Sequence, residues 1–146
     1  MIKTLLDLNT HLALSGTQML KLRGIDLGRE PKDIDLVGDI DKGLKIPDEW
    51  GIKDLAGGSG ESSKSFMVNG VKVDLLPSEG PFGIVKGIRV GSVRGLMKAK
   101  WSYRWGNKGE KHLEDLKKLR EYYPFLYFVV TSKGGWGLLD FNIKVK

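Results

Sequence analysis

The chain has 146 residues, no cysteine and two histidines, His11 and His112. That length buries a real core, and the absent cysteines exclude disulfides, iron–sulfur clusters and thiolate zinc sites. With 24 lysines and arginines against 18 aspartates and glutamates the formal charge is +6, which favours anionic partners such as nucleotides, nucleic acid or acidic proteins without choosing among them. The start, Met1 to Leu14, reads as too polar for a signal peptide. No apolar run reaches the ~20 residues of a membrane helix. A cytoplasmic protein without a membrane partner is the expectation.

In chain order, Ile2, Leu5, Leu6 and Leu8 predict a helix over 2–9. His11–Leu14 predicts a short strand, Ser15-Gly16-Thr17 a turn, and Thr17–Arg23 a helix. Asp33–Val37 reads as a strand. Residues 38–63 lack regular pattern, and the Gly/Ser run Ala56–Ser63 reads as a loop rather than a domain linker. Ser65–Val68 and Val71–Leu76 flank Asn69-Gly70, the favoured type I′ hairpin pair. Residues 84–90 predict one short strand, and Val93–Arg104 a helix. Asn107 is the expected N-cap of a helix over Lys108–Tyr122, stopped by Pro124. Leu126–Thr131 and Leu138–Val145 read as strands around Lys133-Gly134-Gly135, with a helix as the alternative for that end. The order predicts one α+β (mixed α/β) domain over 1–146, a small mixed sheet with helices packed on it.

The pattern that carries chemistry is Lys-Asp-Ile-Asp-Leu-Val. On a strand, residues i and i+2 share a face, so Asp33 and Asp35 aim at one spot while Ile34 and Leu36 point into a core. Asp74 lies on the later hairpin strand, with Lys72 on its face and Val71 and Val73 on the other. Gathered carboxylates repel unless a cation holds them, and hard oxygen ligands suit Mg²⁺, or Mn²⁺ in its place.

Leu14-Ser15-Gly16-Thr17-Gln18-Met19-Leu20, followed by Arg29-Glu30-Pro31-Lys32-Asp33-Ile34-Asp35-Leu36, resembles the nucleotidyltransferase superfamily of polymerase-beta-like fold. The similarity spans roughly residues 12 to 119. It is closest to the minimal bacterial members, including the abortive-infection toxin type. These carry an arginine four positions before the first aspartate, as Arg29 stands here, and a C-terminal Lys-Asp-x-x-Asp-Leu, matched in part by Lys111-His112-Leu113-Glu114-Asp115-Leu116. Ser15 stands where a first glycine is usual, and His112 where an aspartate is.

The resemblance implies an enzyme that moves a nucleotidyl group from a nucleoside triphosphate such as ATP to a hydroxyl acceptor. Asp33, Asp35 and Asp74 would be its catalytic metal ligands. Ser15, Gly16, Thr17 and Arg29 would bind the nucleotide, with Lys100 and then Arg104 meeting the remaining phosphate charge. RNA (a tRNA end, for instance), a protein side chain or a small molecule are the acceptors left open. A homodimer or a partner chain is expected to complete the cleft. The rivals are a non-catalytic nucleotide or nucleic-acid binding module with a decayed site, and a metal-dependent nuclease. Asp39 and Asp41 repeat the Asp-x-Asp spacing and form the rival pair. Trp101, Tyr103 and Trp105, set among Lys98, Lys100, Arg104, Lys108 and Lys111, read either as a stacking surface for nucleic acid or as core aromatics beneath solvated lysines. The i,i+4 spacing of Trp101 and Trp105 tips them toward one buried helix face.

Overall fold

The structure is a computed structural model that describes residues 1–55, 63–77 and 82–132. It divides into two compact units, Met1–Ser92 and Val93–Lys146. Among the described residues, seven strands form one mixed sheet and five α-helices accompany them, an α+β architecture.

The first unit opens with α1 (Ile2–Leu8), β1 (Leu12–Ser15), α2 (Gly16–Leu22) and β2 (Ile34–Gly38). It continues with β3 (Ile52–Leu55), β4 (Lys64–Val68), β5 (Val71–Pro77), β6 (Gly83–Val85) and β7 (Ile88–Val90). The sheet order is β3-β4-β5-β2-β1-β7-β6. β2 pairs parallel with β5 and antiparallel with β1, which itself runs parallel to β7.

The register sorts the side chains. Leu14, Leu36, Val73, Leu75 and Val90 are buried, and pairing sets Leu14 beside Leu36 and Val90, and Leu36 beside Leu75. These residues share one apolar face by the two-residue period. The opposite face receives the polar residues that alternate with them.

The Asn69-Gly70 hairpin forms as the sequence predicts. Both turn residues have positive φ, 48° and 82°, the type I′ requirement that asparagine and glycine meet at least cost. Residues 84–90 differ from expectation. They form a second hairpin, β6–β7, around Lys86 and Gly87, with φ of 52° and 77°. The segment 38–63 contains β3, which pairs with β4 at the sheet's edge. Its Ile52, Lys53 and Asp54 are exposed, so no buried alternation betrays the strand.

Asn9 fastens the start of the chain. Its buried amide donates to the carbonyls of Leu5 (2.7 Å) and Lys45 (2.8 Å), and its oxygen accepts from the Lys45 N–H (2.7 Å). Arg89 donates to the carbonyls of Leu6 (2.7 Å), Asn9 (3.0 Å) and Leu12 (2.6 Å). A cation there satisfies acceptors at the end of α1 that the helix leaves open.

The second unit is helical: α3 (Val93–Ser102), a 3-10 turn at Tyr103–Trp105, α4 (Gly109–Tyr122) and α5 (Pro124–Thr131). Val93, Met97, Leu116, Leu119, Val129 and Val130 are its buried apolar residues. Three expectations are corrected here. Residues 126–131 are helix, not strand, and Pro124 stands at the helix start, where its missing N–H costs nothing. Asn107 caps nothing: α4 begins at Gly109 with Lys108 before it and no side-chain cap. α3 ends at Ser102, so Trp101 and Trp105 are not on one helix face. The expected strand 138–145 and the 133–135 turn lie outside the described residues.

Replacing Asn9 by alanine strands several buried backbone groups. We expect Asn9→Ala to lower the unfolding free energy by about 2–4 kcal/mol in urea titration. Lys3→Ala, which removes only an exposed 3.8 Å pair with Asp7, should shift it by less than about 0.5 kcal/mol.

Candidate functional site

The alternation that buries Ile34 and Leu36 turns Asp35 to the polar face of β2. Pairing then aligns a transverse row. Asp35 stands opposite Ser15 on β1 and beside Asp74 on β5, and Asp74 stands opposite Ser65 on β4. Directly paired residues share a face and are near neighbours. Four polar side chains from four strands therefore lie side by side across the sheet. Ser15, Ser65 and Asp74 are buried and Asp35 is half-buried.

Gly16 begins α2 beside this row. Its φ is +67°, and a Cβ on it would lie 2.3 Å from Asp35 Oδ2. Glycine is thus required twice, for the left-handed backbone and for the carboxylate lying against it. Ser15, at the helix N-cap position, makes no side-chain cap bond, which leaves the first-turn N–H groups of α2 to other acceptors. The half-buried Thr17 follows in the same first turn.

Asp74 is held on both oxygens. Ser65 Oγ donates to Oδ1 at 2.5 Å, and Lys72 Nζ lies 3.7 Å from Oδ2. Lys72 thus shares the face of Asp74, as the two-residue period predicts. Its ammonium compensates two neighbouring carboxylates that would otherwise repel. Sequence reasoning found Asp74 but missed Ser65. The signal was present: a two-residue turn at Asn69-Gly70 fixes the hairpin register, and counting outward from Val68–Val71 reaches Ser65–Asp74.

The other expected residues fall elsewhere. Asp33 is exposed, one residue ahead of β2. Arg29 lies half-buried in the segment between α2 and β2. Asp39 caps a 3-10 turn, Ile40–Lys42, that contains Asp41, and Asp39 Oδ1 accepts from the Asp41 N–H at 3.1 Å. That is turn chemistry, not a ligand pair.

Lys100 and Arg104 belong to the helical unit. Lys100 follows Val93 and Met97 at core spacing and is 7% exposed. A cation so buried needs a partner, and its Nζ donates to Asp115 Oδ2 at 2.8 Å. Arg104 lies over the rings of Trp101 (3.8 Å) and Trp105 (4.8 Å). His112 packs its ring 5.6 Å from that of Tyr103. Burial holds its pKa below the ordinary 6.5; Lys100, Lys111 and Lys108 add to this and Asp115 opposes it.

The donor set of the sheet row is all oxygen, which fits a hard divalent cation. Among the described residues, however, no three acidic or imidazole groups gather into a cage for a metal ion. Asp35 and Asp74 supply an adjacent pair; a third carboxylate is not gathered with them.

No family model matches the chain, and no curated protein matches it. Solved structures do. A Helicobacter pylori protein described as a candidate nucleotidyltransferase superposes with a TM-score of 0.55 at 19% identity, over 86% of this chain and 65% of its own. JHP933 from Helicobacter pylori superposes with a TM-score of 0.56 at 19% identity, over 86% of this chain and 63% of its own. The chain thus spans somewhat under two thirds of those proteins, and its fold is nucleotidyltransferase-like.

The lowered His112 pKa has a thermodynamic consequence. Above pH 6.5 the imidazole is neutral folded and unfolded, and its stabilising contribution is complete. As pH falls, the unfolded chain takes the proton first, so stability declines until the folded-state pKa is passed. Urea midpoints measured from pH 7.5 to 5 should fall more steeply in wild type than in His112→Gln. Parallel curves would contradict this.

Proposed function

We propose that the protein is a nucleotidyltransferase that moves a nucleoside monophosphate from a triphosphate to a hydroxyl acceptor. The observation that carries this reading is the pairing of Asp35 with Asp74 next to Gly16, on a fold of nucleotidyltransferase type. Asp35 and Asp74, the adjacent carboxylate pair, would hold Mg²⁺. When bound, the ion supplies Lewis-acid stabilisation of phosphoryl charge.

The chain's own groups do the rest. Asp74, oriented by the Ser65 hydroxyl, takes the proton of the acceptor hydroxyl. The first-turn N–H groups of α2 donate to triphosphate oxygens, and Arg29 adds charge to that side. Gly16 lets phosphate and carboxylate approach one backbone turn. Lys72 balances the carboxylates until substrate and cation arrive, so it exchanges partners on binding.

The hold of Lys72 on Asp74 also supports a second reading, a nucleotide-binding module without turnover. One assay separates the two. With α-labelled triphosphates, Mg²⁺, and total RNA, lysate protein or small hydroxyl compounds as acceptors, we expect label transfer. Asp35→Asn and Asp74→Asn should each reduce it roughly 10³-fold, the scale of losing a principal electrostatic group, with the fold intact by circular dichroism. Mg²⁺-dependent nucleotide binding with no transfer in any acceptor pool would establish the second reading instead.

A further inference from the structure

The charge excess of the chain is not spread evenly. Residues 1–92 carry 12 lysines and arginines against 13 aspartates and glutamates, while residues 93–146 carry 12 against 5. The whole surplus sits in the sequence of the helical unit. Such segregation is the electrostatic footprint of a polyanion partner.

Within that unit the 3-10 turn after α3 shows an unusual surface. Trp105 is 83% exposed, so one face of its indole is open to a planar partner. The Arg104 guanidinium carbon lies over both indoles, 3.8 Å from the centroid of the Trp101 ring and 4.8 Å from that of Trp105. Its Nη1 donates to the Trp101 carbonyl at 2.5 Å, which locks the stack to the end of α3. Gly109 fixes the turn from the other side, since a Cβ there would lie 1.9 Å from the Arg104 carbonyl oxygen. The exposed cations Lys108 and Lys111 follow on the next segment.

We propose that the Trp101–Arg104–Trp105 stack is a binding platform for single-stranded nucleic acid. An indole already stacked on a guanidinium extends its ladder by one nucleobase, whose π face needs no particular sequence. Lys108 and Lys111 meet the phosphates on either side of the stacked base. An acidic polypeptide fits less well, because it offers charge without a planar group to cover Trp105. Under the transferase reading this makes an oligonucleotide the acceptor class, but the platform stands without that reading.

The test is fluorescence anisotropy of the full chain with labelled 12-nucleotide oligo-U RNA and oligo-dT DNA. The wild type should bind both, more weakly as salt rises from 50 to 200 mM, with a log–log slope of about −1.4 for two phosphate contacts. Trp105→Ala should weaken binding roughly tenfold, and Trp105→Phe by no more than about threefold. Lys53→Ala, on exposed β3, should leave it unchanged. Equal affinity in wild type and Trp105→Ala overturns the proposal. So does duplex RNA bound as tightly as the single strand, or polyglutamate competing as well per charge. Asp35→Asn keeps this binding whatever becomes of transfer. Binding without transfer therefore sinks only the enzyme, and transfer without binding sinks only the platform.

Discussion

The parallel pairing of β2 with β5 is the constraint on which the site depends. It joins strands about 40 residues apart and sets Asp35 beside Asp74. Two carboxylates in adjacent sheet positions repel, so the fold tolerates them only with compensation. Three compensations surround them: the Ser65 hydroxyl, the Lys72 ammonium and the N-terminal end of α2 at Gly16. The same alternation that sinks Ile34, Leu36, Val73 and Leu75 into the core holds the carboxylates on the opposite face. A one-residue slip in either strand would exchange the two sets, so core packing and site geometry enforce one register.

The helical unit follows a different logic. Its α3 places a lysine at a core position, and Asp115 on α4 answers it at 2.8 Å. Removing either partner leaves a buried charge, which costs about 3–5 kcal/mol. That pair gives Lys100 a structural task distinct from the phosphate contact expected of it. The neighbouring aromatic turn, by contrast, leaves an indole in solvent.

Much of this was legible in the residues. The Asp-x-Asp strand, the Asn-Gly hairpin and the first two helices announce themselves by period and turn chemistry. α5 did not, because Leu126-Tyr-Phe-Val-Val-Thr131 is a continuous apolar run rich in β-branched and aromatic side chains. Periodicity cannot separate strand from helix in such a run, and the start at Pro124 decides it. β3 hid because an edge strand with exposed Ile52, Lys53 and Asp54 shows no buried alternation. β6–β7 hid because its turn residue Lys86 takes positive φ, a conformation that lysine does not advertise. At the site, the residues led to an expectation of three carboxylates, Asp33, Asp35 and Asp74, beside Gly16; strand pairing sets Asp35 and Asp74 side by side there. The hold of Ser65 and Lys72 on Asp74, and the burial of Lys100, required tertiary pairing to see.

The central claim is that the Asp35–Asp74 pair beside Gly16 is where a divalent cation binds. Titrating Mn²⁺ into isotopically labelled protein and following amide line broadening tests it directly. The account predicts that the resonances of Gly16, Asp35 and Asp74 broaden first, and that Asp74→Asn abolishes the effect. Broadening that begins at Asp39 and Asp41, or spreads evenly over the exposed acidic residues, would contradict it.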